Sequence, residues 1–152
     1  MIINNIKLKH RIYNSSLNSG NKKTIEKNLL KTVKKLQKIS KKQHSNIILL
    51  AVKNSTPTLK MNKQKMKRKK KKQNQDVPTF IQNKFLRINL SLKYIILNSS
   101  KKSNYNKFYT KLSNEILESS MFKSQSTEQK TNLQKQILLQ KNLFFKYRWK
   151  KK

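Results

Sequence analysis

The sequence predicts a mainly α-helical bundle of about five to six helices with one protruding β-hairpin. Three observations predict it. Apolar residues gather in segments that recur every three to four positions, and two short alternating segments flank a run of cations. Only 34 % of the 152 residues are apolar, enough for one modest core. A single domain over residues 1–152 follows, with a ribbon at about 58–81, a basic tip at 63–75 and a short basic tail at 150–152.

The elements follow in order. Met1 to Arg11 is basic and free of acids, as a transit peptide would be, but the domain pattern begins almost at once. Ile25, Leu29, Val33 and Leu36 form one stripe of an amphipathic helix over 22–38, with Glu26 expected in its first turn. A second helix is predicted over 45–54, through Ile47 to Val52, and Pro57 closes it. Apolar and polar residues alternate at Thr58–Met61 and again at Val77–Ile81. Two short strands joined by a long, flexible cationic loop are therefore expected, with Pro78 making the ribbon a free-standing edge.

Residues 83–98 are apolar on nearly every side and predict a buried central helix. Ser103 or Asn104 is the expected N-cap of the next helix, whose stripe is Tyr105, Phe108, Tyr109, Leu112 and Ile116. Ser126 with Gln129 resembles a capping box for a last helix carrying Leu133, Ile137, Leu138 and Phe144.

Charge narrows the function. Lysine and arginine number 38 against 5 acids, a formal net charge of +33. A compact chain with that charge repels itself, so a dense polyanion is the expected partner, nucleic acid before an anionic membrane. The bases are nearly all lysine, asparagine and isoleucine are abundant, and Gly20 is the sole glycine. Those are the amino acids of AT-rich codons, which points to a small AT-rich genome and makes many lysines compositional background.

Other chemistries find no residues to carry them. There is no cysteine, and His10 and His44 stand alone, so neither a disulfide nor a metal site is expected. Five scattered acids supply no acid–base pair or triad, Asn114 and Glu115 read as structural helix residues, and no enzyme and no cofactor are expected. No apolar run reaches membrane-spanning length.

Six segments, taken together, resemble one family. Gly20-Asn21-Lys22-Lys23-Thr24-Ile25-Glu26 is similar to its Gly-Lys-Lys-Ser-Thr-Ala-Glu, and Ala51 to Thr58 to its Ala-Leu-Glu-Asn-Val-Arg-Pro-Thr. Val77-Pro78 takes the place of its Val-Pro, and Lys93-Tyr94-Ile95 that of Arg-Trp-Ile. Leu112 to Ile116 resembles Leu-Ala-Asn-Glu-Leu, and Leu143 to Trp149 resembles Ala-Phe-Ala-His-Tyr-Arg-Trp. The family is the seventh protein of the small ribosomal subunit. The chain departs from it in a largely missing basic N-terminal extension, in a longer tip without paired glycines, and in an end three residues after Trp149.

The resemblance implies a structural constituent of the small subunit that binds the 3′ major (head) domain of its rRNA and organises head assembly. It implies a ribbon reaching the exit-site tRNA and the mRNA exit path, and small-subunit proteins numbered nine, eleven and thirteen as neighbours. A homo-oligomer is not expected. Candidate rRNA contacts are Lys22, Lys23, Lys60, Lys63, Lys65, Lys84, Arg87, Arg148 and Trp149. The ribbon tip, nearest mRNA and tRNA, is Lys67, Arg68, Lys69, Lys70, Lys71 and Lys72. Composition adds a mitochondrial ribosome and an organelle-encoded chain, with the plastid as alternative.

Two rivals come from other classes. A general DNA- or RNA-compacting protein would need only the lysine run, and no buried helix at 85–97. A peripheral membrane protein would need Trp or Phe along one helix face and Lys along the other.

Overall fold

The pattern of apolar residues closes into a helical bundle, here in a computed structural model that describes residues 5–17, 21–40, 44–68, 71–101 and 107–140. Side chains of residues 5–9 and 63–75 are outside this description. The order is α1 (Asn5–Ser16), α2 (Lys22–Ile39), α3 (His44–Ser55), β1 (Leu59–Arg68), β2 (Lys71–Phe80), α4 (Lys84–Lys101), α5 (Phe108–Ser120) and α6 (Gln125–Leu139). The predicted class holds: six helices and one antiparallel hairpin among the described residues.

The core lies where α2, α3 and α4 meet α5. Leu36, Ile47, Ala51, Val52, Ile88, Leu92, Ile95, Leu112 and Ile116 form one buried cluster, and Leu29, Ile48 and Phe108 pack against it. Burying such side chains contributes roughly 1.5–3 kcal/mol each. A void of about 20 Å³ remains among Ala51, Leu92 and Leu112. Ser91 sits at the α3–α4 crossing, its hydroxyl donating to the Val52 carbonyl at 3.1 Å. α1, which periodicity did not single out, packs on α4 and α2.

The ribbon is longer in regular structure than the sequence predicted. The strands pair without a break from Leu59↔Phe80 to Arg68↔Lys71, so the expected loop at 63–75 is mostly ladder. Alternating apolar residues mark a strand with one buried face. The outer ribbon carries no such pattern, and its pairing rests on backbone hydrogen bonds that Lys, Asn and Gln also allow. Among the residues whose side chains are described, its base is anchored through buried Val77, Pro78, Thr79 and Ile81 and the Ile81 N–H bond to the Thr58 carbonyl.

Helix boundaries corrected several expectations. Glu26 lies beyond the first turn of α2, which holds no acid. α5 begins at Phe108 after Lys107, without a side-chain cap, and the expected caps Ser103 and Asn104 lie outside the described residues, as do Tyr105 and Phe144. α6 is capped two residues earlier than predicted, by Ser124, whose hydroxyl accepts from Thr127 N–H at 3.2 Å. α4 is not buried all round, since Phe85, Leu86 and Leu97 are exposed, and on α6 Leu138 is exposed.

With one glycine in the chain, the end of α5 uses an aromatic where glycine is usual. Lys123 N–H bonds the Glu118 carbonyl at 2.9 Å and Phe122 N–H the Ser119 carbonyl at 3.3 Å, a Schellman closure. Phe122 consequently takes φ 60°, a left-handed conformation that costs a residue with a Cβ roughly 1–2 kcal/mol.

Candidate nucleic-acid interface

The candidate residues divide into groups by where the fold puts them. The ribbon concentrates charge most: residues 59–80 hold nine cations and one acid, Asp76. Its ladder pairs Lys63 with Asp76 and Lys65 with Asn74, then Lys67 with Lys72 and Arg68 with Lys71. Like charges at directly opposed positions destabilise a hairpin unless an anion lies between them. Ten residues per strand carry this end roughly 30 Å along the ribbon from its base. Lys69 and Lys70 lie outside the described residues.

A second group surrounds the ribbon base. Lys60 is half-buried on β1 opposite Thr79, whose hydroxyl donates to the Lys60 carbonyl at 3.4 Å. Lys84 is exposed as the first residue of α4, where Asn83 Oδ1 accepts from Phe85 N–H at 2.8 Å and so caps the helix. Arg87 turns back and donates from Nε to the Ile81 carbonyl. That bond ties the outgoing end of the ribbon to α4, so Arg87 positions the ribbon.

Lys22 and Lys23 are set apart from both groups. They are exposed at the start of α2, after Asn21, which makes no side-chain cap. The first amides of α2 thus keep their partial positive charge for an incoming anion. α2 packs on α5, α1 and α3, whereas β1 packs on α6. Arg148 and Trp149 lie outside the described residues.

Arg11 is a positioning residue that periodicity missed. Its guanidinium lies 4.4 Å from the Phe85 ring centroid and Nη1 donates to Asn89 Oδ1 at 3.1 Å, joining α1 to the first turns of α4. Lysine cannot both stack its plane on a ring and fork to an amide. The signal was present: a chain with four arginines among 38 bases uses two of them, Arg11 and Arg87, at such fixed joints.

Other ionisable groups are held by packing. Burial lowers the Lys130 ammonium from the usual lysine value, and its Nζ donates to the Asn54 carbonyl at 2.8 Å. α1 packs on α2, and desolvation first, then the Glu26 charge, raises the Tyr13 hydroxyl there. His44 Nδ1 lies 3.3 Å from Gln37 Nε2, and among the described residues no three His, Asp or Glu side chains gather as metal ligands. Among the same residues, no helix is long and apolar enough to cross a membrane.

No curated protein matches the chain. The family model described as Ribosomal protein S7p/S5e matches residues 2–139, which takes in all six helices and the ribbon. The chain therefore belongs to the Ribosomal protein S7p/S5e family, whose role is structural and non-enzymatic, binding rRNA in the small ribosomal subunit.

Proposed function

We propose that the chain organises the head of a small ribosomal subunit by binding the 3′ major domain of its rRNA. In this reading the apolar bundle supplies rigidity. Lys22, Lys23, Lys60, Lys63, Lys65, Lys84 and Arg87 neutralise phosphates where RNA helices meet, and Arg148 and Trp149 stack on exposed RNA. The ribbon end, Lys67 to Lys72, runs beside the exit-site tRNA and the departing mRNA. Small-subunit proteins numbered nine, eleven and thirteen are its neighbours, and it enters the particle as a single copy.

The observation that carries the reading is the end of the ribbon, where two facing cation pairs close a ladder whose base is buried in the bundle. Such an end is relieved by a polyanion that passes along its face. Amino-acid usage supports a mitochondrial ribosome and an organelle-encoded chain, since lysine, asparagine and isoleucine replace the arginine and glycine of GC-rich codons.

The test is binding of the purified chain to head-domain rRNA against a structured RNA of equal length, over a range of salt. A preference above about 100-fold that survives physiological salt is expected of a shaped ribosomal site. Equal binding to both RNAs, collapsing together as salt rises, would leave only charge and favour a general compacting protein.

A further inference from the structure

We infer that the solvent face of α2 is a second RNA-binding surface, separate from the ribbon, which holds the phosphate backbone of an RNA duplex. Lys23, Lys27, Lys31, Lys34 and Lys38 recur at spacings of four, four, three and four. At about 100° per residue they fall within an arc of about 80°. All five are exposed. The opposite side of the helix is the one that packs, through buried Thr32 and Leu36 and half-buried Leu29, with Thr32 Oγ1 reaching the Tyr109 carbonyl of α5 at 3.4 Å.

The stripe runs from one end of the helix to the other. Lys23 to Lys38 spans about 22 Å at 1.5 Å per residue. One charge projects at nearly every turn, and Lys31 is partly fixed, with Nζ 5.6 Å from the Tyr109 ring centroid. Glu26, the sole acid on α2, falls outside the arc. A duplex groove presents phosphates over a comparable length, on the order of a dozen within it.

Compositional bias alone does not account for this face, because α6 is its internal control. α6 comes from the same lysine-rich chain and also turns a side to solvent, yet that side carries Gln125, Glu128, Gln129, Thr131, Asn132, Lys135 and Gln136, with Leu138 and Leu139 exposed beside them. Over 15 residues α6 holds two lysines, and one of them, Lys130, is bound to Asn54. Over 18 residues α2 holds seven. The background of this chain therefore leaves a solvent helix face with a single exposed lysine, Lys135, and α2 departs from that background.

The chemistry selects RNA over the alternatives. An anionic membrane would need an apolar side to insert, and the apolar side of α2 is already inside the bundle. A protein partner would meet a stripe without an aromatic or arginine anchor, of a residue type that interface centres avoid. Because α2 packs on α5, α1 and α3 while the ribbon leans on α6, the two cationic surfaces stand on separate elements and engage different RNA segments.

This inference rests on the rRNA-binding reading, and the test separates the two. One variant carries Lys27→Gln, Lys31→Gln, Lys34→Gln and Lys38→Gln; its charge-matched control carries Lys53→Gln, Lys101→Gln, Lys123→Gln and Lys135→Gln. Glutamine keeps helix propensity close to that of lysine. Against head-domain rRNA, the α2 variant should lower the slope of log affinity on log salt by about 3 relative to the unsubstituted chain, and the control by less than 1.

Because the chain has no cysteine, Lys34→Cys gives a single thiol for tethered iron–EDTA. Its cuts should cluster on one rRNA segment, and those from a Lys123→Cys chain should not fall there. Equal slopes for the two quadruple variants and unclustered cuts overturn the α2 surface while leaving head-domain binding intact. Equal slopes with loss of only the α2 variant from assembled subunits would assign the face to an acidic protein and overturn the RNA. An unsubstituted chain with no preference for head-domain rRNA defeats the reading beneath.

Discussion

Two sides of α5 bury residues to the same degree by opposite chemistry. Toward α3 and α4 it presents Leu112 and Ile116, 1 % and 7 % exposed, to Ala51, Val52 and Leu92. Toward α6 it presents Glu115, fully buried, and Ser119. Glu115 Oε1 accepts from the Ser126 amide at 3.2 Å and from the Ser126 hydroxyl at 2.6 Å. Asn98 Nδ2 then donates to Ser126 Oγ at 3.2 Å, and Gln129 Nε2 to Asn98 Oδ1 at 3.0 Å. Nearby, Asn54 Nδ2 donates to the Ser119 and Ser120 carbonyls, both at 3.0 Å.

The difference separates affinity from register. An apolar seam is stabilised by area removed from water, which tolerates a small slide between helices. The polar seam tolerates none, because each buried group must meet its partner or lose its hydration without return. Glu115 also places a carboxylate at the first turn of α6, where the helix dipole is positive. α6 is therefore capped twice, locally by Ser124 and from α5 by Glu115. This fixes the pose of the helix against which the ribbon base leans.

The largest break in the comparison comes on the apolar side. Leu112→Ala removes a side chain that borders the existing void of about 20 Å³, so little around it can collapse inward. A loss of about 2–5 kcal/mol is expected, read as a shift of the urea midpoint at unchanged slope. A loss under 1 kcal/mol would mean that α5 repacks and that its apolar side does not set the bundle.

Glu115 tests the other side. Glu115→Ala strands the Ser126 amide and hydroxyl in a dry site, at about 1–3 kcal/mol for each buried group left unsatisfied. Glu115→Gln keeps an Oε1 acceptor and should recover most of that loss. Hydrogen exchange in the first turn of α6 reads the same event locally, accelerating in the alanine variant before global unfolding. If the glutamine variant were as unstable as the alanine one, charge at the α6 dipole would outweigh the hydrogen bonds.

These two seams also mark what the sequence could and could not show. Leu36, Ala51, Leu92 and Leu112 lie on stripes at helical spacing, and a non-directional force needs only that spacing, so the bundle was legible. Ser126-Gln129 had the right local form for a capping box, yet Glu115, eleven residues back, claimed Ser126, and Asn98 claimed Gln129. A cap is a competition among partners, and a remote partner leaves no local trace. The ribbon had the same difficulty: its outer ladder has no alternation of apolar residues, so Gln64, Asn74 and their neighbours look like loop. The candidate site was legible as charge at its base and tip. The α2 stripe was hidden by the lysine background until α6 supplied a comparison.

The smallest expected effect belongs to Lys130, which reaches from α6 across to the end of α3 on the polar side. Its Nζ bonds the Asn54 carbonyl, and burial holds its pKa below the ordinary 10.5. In the unfolded chain the amine regains that ordinary value, so between the two values the unfolded state binds more proton. Stability then rises with pH through the lowered folded value, and the gain levels off above 10.5. The half-buried ammonium is screened by water, which keeps the effect below those of Leu112 and Glu115. Lys130→Met retains the stem and removes the titration. The urea midpoint of the parent minus that of the variant should climb as pH rises toward 10.5, since the other lysines titrate in both chains. A flat difference would show that Lys130 stays as solvated in the fold as out of it, and that the polar side of α5 ends at Asn54.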